Sequence, residues 1–403
     1  MTIDIPFNKP YLTGRETDGL ARAFKNLRFA GDGPLTHECA RAIEATLGCH
    51  RALLTTSCTH ALEMAALLLE IKPGDEVIAP SFTFVSTLNA FVLRGAQPVF
   101  IDVRPDTLNL DERQLDGLIT SRTRAIVPVH YAGVGCEMDA ILATAARHGV
   151  AVVEDNAHGF AARYRGRSLG TLGCLGTQSF HETKNLSCGE GGALIVNQPE
   201  LVDRAEIIRE KGTDRSRFFR GEVDKYTWVD VGSSYVLGEL LAAFLLAQLD
   251  EVASIQLRRR AIWEYYFDSL SEVARSHGIG LPAVPPHCEQ AYHMFYVMTR
   301  SLSERTSLID HLRRHGIQAV FHYVPLHLSE MGRRFGGRAG QCPVTEDITD
   351  RVLRLPFFTA MTRAEQDRVV SEIHTFYRGQ AGSTAKEEAC LVRSGPHDAK
   401  GRL

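Results

Sequence analysis

From residue 77 to residue 197 the chain alternates short, almost purely apolar runs with stretches of helical period. No other feature limits the accessible folds as strongly. VIAP (77–80), PVFIDV (98–103), AIVPVH (125–130), VAVVED (150–155), TQSFH (177–181) and ALIVN (193–197) read as buried strands. Between them THALEMAALLLE (59–70), VSTLNAFVLR (85–94), DERQLDGLIT (111–120) and MDAILATAARH (138–148) read as helices. Strands that are apolar throughout, each followed by a helix, predict βαβ units and a mostly parallel sheet covered on both faces. Pro73-Gly74-Asp75 and Pro105-Asp106 punctuate the pattern as turns.

The texture changes near residue 235. SSYVLGELLAAFLLAQLDEVASIQLRRRAIWEYYFDSL predicts one or two long helices. After Pro282, strands (MFYVM, AVFHYV) mix with helices (SLIDHLRRHG, AEQDRVVSEIHTFY). The expected organisation is a large α/β domain over 1–250 and a smaller α+β domain over 251–378. The polar, aperiodic segment 379–403 is expected to be a disordered tail.

Bulk properties exclude several classes. A net charge of −3 leaves no basic stripe for nucleic acid. No apolar run approaches membrane-spanning length, and MTIDIPFNKP lacks a charged n-region followed by an apolar h-region. The nine cysteines form no C-x-x-C pair, so neither a zinc site nor a dithiol is expected, and free thiols suit a reducing cytoplasm. The expected location is cytoplasmic, with no metal, no membrane and no nucleic-acid partner.

Parallel sheets bind ligands at the carboxyl ends of their strands, so the residues following each strand are the candidates. Asp155 ends VAVVED. A carboxylate at the tip of so apolar a strand is costly without a cationic partner, although strand-end Asp is also a common turn former. Lys184 follows the strand at 177–181 in SFHETKN. Apolar surroundings would lower its pKa and make it nucleophilic towards carbonyls, whereas most lysines are simply solvated. Ser57, Cys58 and Thr59 open a long helix, where free N–H groups suit either a phosphate or ordinary capping. Ser179 stands five residues before Lys184 and offers a hydroxyl to the same anion. In PSFTFVST (80–87), Phe82 and Phe84 are candidates to stack on a flat ring or to pack in the core. The glycines around Glu190 in CGEGGAL (188–194) permit a tight turn and close backbone approach. The glycines of LGTLGCLG (169–176) lead into a strand, not from a strand into a helix, which excludes a dinucleotide fingerprint. His322, Tyr323 and His327 in FHYVPLH (321–327) are candidates to face a cleft between the domains.

PSFTFVSTLNA, VPVHYAG, VVEDNAHG, SFHETKN and GEGGAL, in this order, resemble the DegT-type sugar-nucleotide aminotransferases, a family of the pyridoxal-phosphate (PLP) fold-type I superfamily. The resemblance runs from about residue 5 to residue 377. It implies the aspartate aminotransferase-like fold, with a seven-stranded-type sheet and a smaller C-terminal domain. Within the family, the stretches beginning at Cys58, His181 and Ile207 are most similar to the dTDP-4-amino-4,6-dideoxygalactose transaminases. Those enzymes act on dTDP-4-keto-6-deoxyglucose with L-glutamate as amino donor. The resemblance thus implies a role in a surface glycan such as lipopolysaccharide or enterobacterial common antigen.

The resemblance also implies residue roles. Lys184 would join the cofactor aldehyde and move protons, Asp155 would pair with the pyridine nitrogen, and His158 would stand near the ring hydroxyl. Phe84 would stack on the ring, while Cys58, Thr59 and Ser179 would hold the phosphate. The segment from Lys225 to Tyr235 would reach the neighbouring subunit's site, making a homodimer the minimal unit. Many family members carry an Asn where this chain has Ser234, in Gly232-Ser233-Ser234-Tyr235. For the donor's side-chain carboxylate the candidates are Arg215, Arg217 and Arg220, which otherwise read as a solvated face.

Overall fold

The computed structural model describes residues 3–393, with side chains described to residue 379. Seven strands form the central sheet: β1 (Arg51–Thr55), β2 (Glu76–Pro80), β3 (Gln97–Ile101), β4 (Thr123–Ile126), β5 (Ala151–Asp155), β6 (Leu175–Ser179) and β7 (Gly192–Val196). Their spatial order is β1-β7-β6-β5-β4-β2-β3. Only β7 runs against the others, because it returns from β6 through a short loop without a crossover helix.

Side-chain alternation sends successive residues to opposite faces. Leu53, Val77, Ala79, Val153 and Leu194 pack beneath the helix Cys58–Leu68, which presents Ala61, Leu62, Ala65 and Ala66. On the other face Leu54, Ala193 and Ile195 meet the helices Pro34–Leu47 and Glu239–Leu249. Ile78, Ile126 and Val152 meet Met138–His148 on that face as well. Each fully buried Leu, Ile or Val contributes roughly 1.5–3 kcal/mol, so the paired apolar faces explain why these runs form a three-layer sandwich.

The second core surrounds the antiparallel strands Tyr296–Met298, Val352–Arg354 and Val320–Phe321, in that order. The helices Val252–His277, Leu302–Arg314 and Arg363–Arg393 cover it. Ile5 belongs to this core, and its neighbour Asp4 donates its backbone N–H to the Gly316 carbonyl at 2.9 Å. Residues 4 and 5 therefore lie against this second core. Cys288–Glu289 reaches back the other way to pair with Arg163–Tyr164.

Three elements differ from the sequence reading. Strand β1 lies in a stretch not read as a strand. The helix expected over 111–120 is one 3₁₀ turn (Glu112–Gln114) and one α turn (Leu115–Leu118). Gly117 and the β-conformed Ile119 stop it from propagating. The last helix runs to Arg393, through the start of the segment expected to be a tail, where Ala, Lys and Glu are strong helix formers. Residues 394–403 lie outside those described. Among the described residues no single helix is long and apolar enough to cross a membrane.

Candidate active site

The carboxyl ends of β1, β2, β5 and β6 open on one cavity of about 810 Å³, closed from the other side by His293, Phe321, His322, Tyr323 and Arg354. Asp155 ends β5 and is 5% exposed. Its neighbour Glu154 faces the opposite side of the sheet. The Glu154 carboxylate accepts from the N–H groups of Gly170 (2.8 Å), Leu172 (2.6 Å) and Gly173 (2.7 Å). The glycine-rich stretch 169–176 therefore wraps a carboxylate and fixes the strand end that presents Asp155. Asp155 itself accepts from Thr87 Oγ1 at 2.7 Å and from the Ala157 N–H at 3.2 Å. Neither partner is a cation, so this buried carboxylate is hydrogen-bonded but not neutralised.

Lys184 lines the same cavity and is half-buried. Burial lowers its pKa to about 8; the carboxylate of Asp155 and the thiol of Cys58 act in the opposite direction. At pH 7 about a tenth is then the nucleophilic free amine, far more than for an ordinary lysine. Ser57 caps the helix Cys58–Leu68 by accepting from the His60 N–H at 3.1 Å. That bond leaves the first N–H groups, those of Cys58 and Thr59, without intrahelical acceptors. Gly192 makes the approach possible. A Cβ there would sit 2.4 Å from both the Cys58 nitrogen and the Ser57 carbonyl carbon. Ser179, at the end of β6, lines the cavity with Ser57, Cys58 and Thr59. Thr59 Oγ1 donates to Ser86 Oγ at 2.8 Å.

The two phenylalanines divide as their neighbours dictate. Phe82 is buried against Tyr131, His322 and Tyr323. Phe84 lines the cavity and is 58% exposed. Three imidazoles meet opposite: His158 stacks on His293 with centroids 4.3 Å apart, and His322 lies 6.4 Å from His158. Burial, with the charges of Lys184 and Arg354 nearby, holds all three well below the ordinary histidine pKa, so they are neutral. His293 Nδ1 bonds Asn185 Oδ1 at 2.8 Å and His322 Nδ1 bonds the Tyr131 hydroxyl at 2.8 Å. His158 Nδ1 is buried without a partner.

Other expected residues lie elsewhere. His327 is fully buried away from the cavity, bonded to Ser81 Oγ (2.6 Å) and Glu346 (3.0 Å), and so ties its segment to the loop after β2. Arg217 and Arg220 pair with Glu222, Arg220 also with Glu206, and Arg215 covers the Phe219 ring. All three arginines are therefore engaged outside the cavity of their own chain. Ser234 is exposed and does not line it either. It ends a run in which Tyr226, Trp228, Val229 and Val231 are all exposed. Glu190 lines the cavity, with the ring of His181 3.6 Å away. Sequence reasoning missed Thr87, Asn185, His293 and Arg354. Thr87 and Asn185 sat within quoted motifs, but nothing local marked His293 or Arg354.

The residues present fit PLP. An unneutralised buried carboxylate suits a protonated ring nitrogen, an exposed aromatic face suits the ring, and an orphaned imidazole nitrogen suits its hydroxyl. Unpaired N–H groups at a helix start, with Ser179, suit its phosphate. Gly192→Ala is expected to cost about 1–3 kcal/mol of stability by separating β7 from the helix start. It should also weaken PLP binding by about tenfold or more. Thermal denaturation and a cofactor titration measure the two effects.

The model of the DegT/DnrJ/EryC1/StrS aminotransferase family matches residues 10–374. Among solved structures, DesV from S. venezuelae is 33% identical with a TM-score of 0.85, covering 94% of this chain and 99% of that one. The aminotransferase TlmJ from Streptoalloteichus hindustanus is 30% identical with a TM-score of 0.85, covering 94% and 100%. Spr1654 from Streptococcus pneumoniae, assigned as a sugar aminotransferase and solved in its PLP form, is 25% identical with a TM-score of 0.85, covering 93% and 99%.

Proposed function

The chain belongs to the DegT/DnrJ/EryC1/StrS aminotransferase family, and from that premise we propose that it transfers the amino group of L-glutamate to C4 of dTDP-4-keto-6-deoxyglucose. The product is dTDP-4-amino-4,6-dideoxygalactose, destined for a surface glycan. The chain is a PLP-dependent sugar aminotransferase of fold-type I. What this reading adds is the substrate, the donor and the position of attack. The observation that carries the chemistry is the placing of Asp155 and Lys184 in one cavity beside an unpaired helix start. At about 810 Å³ the cavity is large enough for more than a cofactor and an amino acid. The C4 position and the dTDP carrier are supported by the stretches from Cys58, His181 and Ile207, and by Ser234 in the place of Asn.

PLP, when bound, carries the amino group and withdraws electrons from the carbon that gives or receives it. The chain does the rest. Asp155, oriented by Thr87, holds a proton on the ring nitrogen. Lys184 Nζ takes the proton from the donor's α-carbon and later returns one to the sugar carbon that gains nitrogen. Phe84, the neutral imidazoles and the small domain limit water around both carbons. The exposed run at Tyr226, Trp228, Val229 and Val231 is the surface we assign to a second subunit, with Ser234 directed at the neighbour's phosphate. The protein would act as a homodimer in the cytoplasm.

A single-turnover experiment tests the assignment. The visible band of bound PLP is first discharged with L-glutamate. The enzyme is then offered dTDP-4-keto-6-deoxyglucose, its 3-keto isomer, or a UDP-linked keto-sugar. Return of the band with the dTDP-4-keto sugar is the expected result. Return with the 3-keto or UDP sugar alone overturns the position or the carrier.

A further inference from the structure

Two histidines and a glutamate converge at the surface of the second core, and none of them lines the cavity that holds Lys184. His311 lies in the last turn of the helix Leu302–Arg314, and His315 caps its end. Four positions apart, they share one face of that helix, with ring centroids 4.5 Å from each other. Glu372 comes from the helix Arg363–Arg393, 61 positions after His311. Its Oε2 is 3.0 Å from His311 Nε2 and 3.5 Å from His315 Nδ1. One donor atom from each residue fits within 4.8 Å of the other two. A tetrahedral ion with bonds of about 2.0–2.1 Å holds its ligand atoms about 3.3–3.4 Å apart. The two separations to Glu372 bracket that spacing.

The surroundings suit a metal ion as well as the spacing does. His311 and Glu372 are half-buried, and the His311 ring is seated 5.6 Å from that of Phe376. His315 is exposed, so one side is open to an incoming ion and to a water as fourth ligand. His315 Nδ1 lies 2.8 Å from the His311 carbonyl, a contact that orients the ring. The neighbouring guanidiniums are engaged elsewhere: Arg368 with Asp4, Arg313 with Asp310, and Arg314 with the Asp310 carbonyl. Among the described residues Glu372 pairs with no Arg or Lys, only with the two imidazoles. A neutral imidazole brings no charge, so the carboxylate has no permanent counter-ion of its own.

We propose that His311, His315 and Glu372 bind a divalent transition-metal ion, Zn²⁺ above all, which clamps the end of the helix Leu302–Arg314 to the helix Arg363–Arg393. Two imidazoles and a carboxylate are the donor set of such an ion, whereas Mg²⁺ takes oxygen ligands alone. The ion takes the place of the hydrogen bond between His311 and Glu372, and the ring proton of His311 passes to Nδ1. No cysteine spacing announces the site, because its ligands are histidine and glutamate from two separate helices. The proposal is independent of the reaction at Lys184.

The test uses tag-free, PLP-loaded protein stripped of metal with a chelator. Calorimetric titration with ZnCl₂ should show one site per chain with a dissociation constant of about 10 µM or tighter. His315→Ala and Glu372→Gln should each weaken it about 100-fold. Both side chains reach solvent, so both variants should fold, which their melting curves without metal check. At a hundredfold excess over the dissociation constant, Zn²⁺ should raise the wild-type melting temperature by about 3 °C and leave the variants unmoved. Co²⁺ in place of Zn²⁺ should give d–d absorption without a thiolate charge-transfer band, the sign that no cysteine is a ligand. Wild-type binding weaker than about 1 mM, binding that both variants retain, or a thiolate band would each overturn the site and leave the aminotransferase reading standing.

Discussion

Lys184→Ala is expected to lower the rate of the glutamate half-reaction by about 10⁴-fold or more. Two losses combine in this variant. The amine that attacks carbonyl carbon disappears, and so does the base whose pKa, held at about 8 by burial, places proton affinity near neutrality. Lys184→Arg should not rescue the activity, because a guanidinium stays protonated and cannot accept the proton. Borohydride reduction should leave PLP attached irreversibly to the wild-type chain and not to either variant. Full turnover by Lys184→Ala would remove the assignment.

The same lysine predicts a stability effect in the cofactor-free protein. Its folded pKa, about 8, lies below the value of 10.5 expected for the unfolded chain. Between these values the unfolded chain binds the extra proton, so stability rises with pH across the window. Below about pH 8 the folded state carries the full penalty of a buried ammonium. Lys184→Met should therefore melt higher than wild type at pH 7, and the advantage should shrink as pH climbs through the window. Melting curves across that range, without PLP, make the comparison.

What could be read from sequence follows from how far each signal reaches along the chain. β2 to β5 and β7 announce themselves because strands buried on both faces are mostly apolar, whereas β6 buries Thr177, Gln178 and Ser179 and is marked mainly by its place in the alternation. β1 does not, since it begins with Arg51 and runs almost directly into the Cys58 helix, leaving no punctuation between them. Asp155 and Lys184 were visible for the same reason as the strands that carry them. Arg354 and His293 were not, because they come from distant segments that reach the cavity only by tertiary packing. No local periodicity encodes that packing. His327 shows the converse error. A histidine three residues past the AVFHYV run reads as a site candidate, but Ser81, 246 positions earlier, turns it into a structural tie between distant segments. The arginines at 215–220 looked equally available until Glu206 and Glu222 proved to hold two of them and Phe219 to lie under the third.

Asp155→Asn is expected to slow both half-reactions by roughly 10²–10⁴-fold, matching the about 3–5 kcal/mol lost when one member of a buried charge pair is removed. The substitution is nearly isosteric, and Thr87 Oγ1 can still bond to the amide, so the fold and the ring position should survive. What goes is the negative charge that keeps a proton on the pyridine nitrogen. The loss should therefore appear in the rate of discharge by glutamate far more than in PLP affinity. Thr87→Val separates orientation from charge: it removes the 2.7 Å hydrogen bond and leaves the carboxylate in place. One charge-assisted hydrogen bond is worth about 1.5–3 kcal/mol, so Thr87→Val should slow the reaction by roughly tenfold to a hundredfold. Asp155→Glu, which restores the charge at a longer reach, should lie between wild type and Asp155→Asn. If Asp155→Asn, saturated with PLP, discharges with glutamate at the wild-type rate, the carboxylate is structural and the ring is activated by another group. If Thr87→Val is slower than Asp155→Asn, the hydroxyl contacts the substrate directly and the order of roles must be reversed.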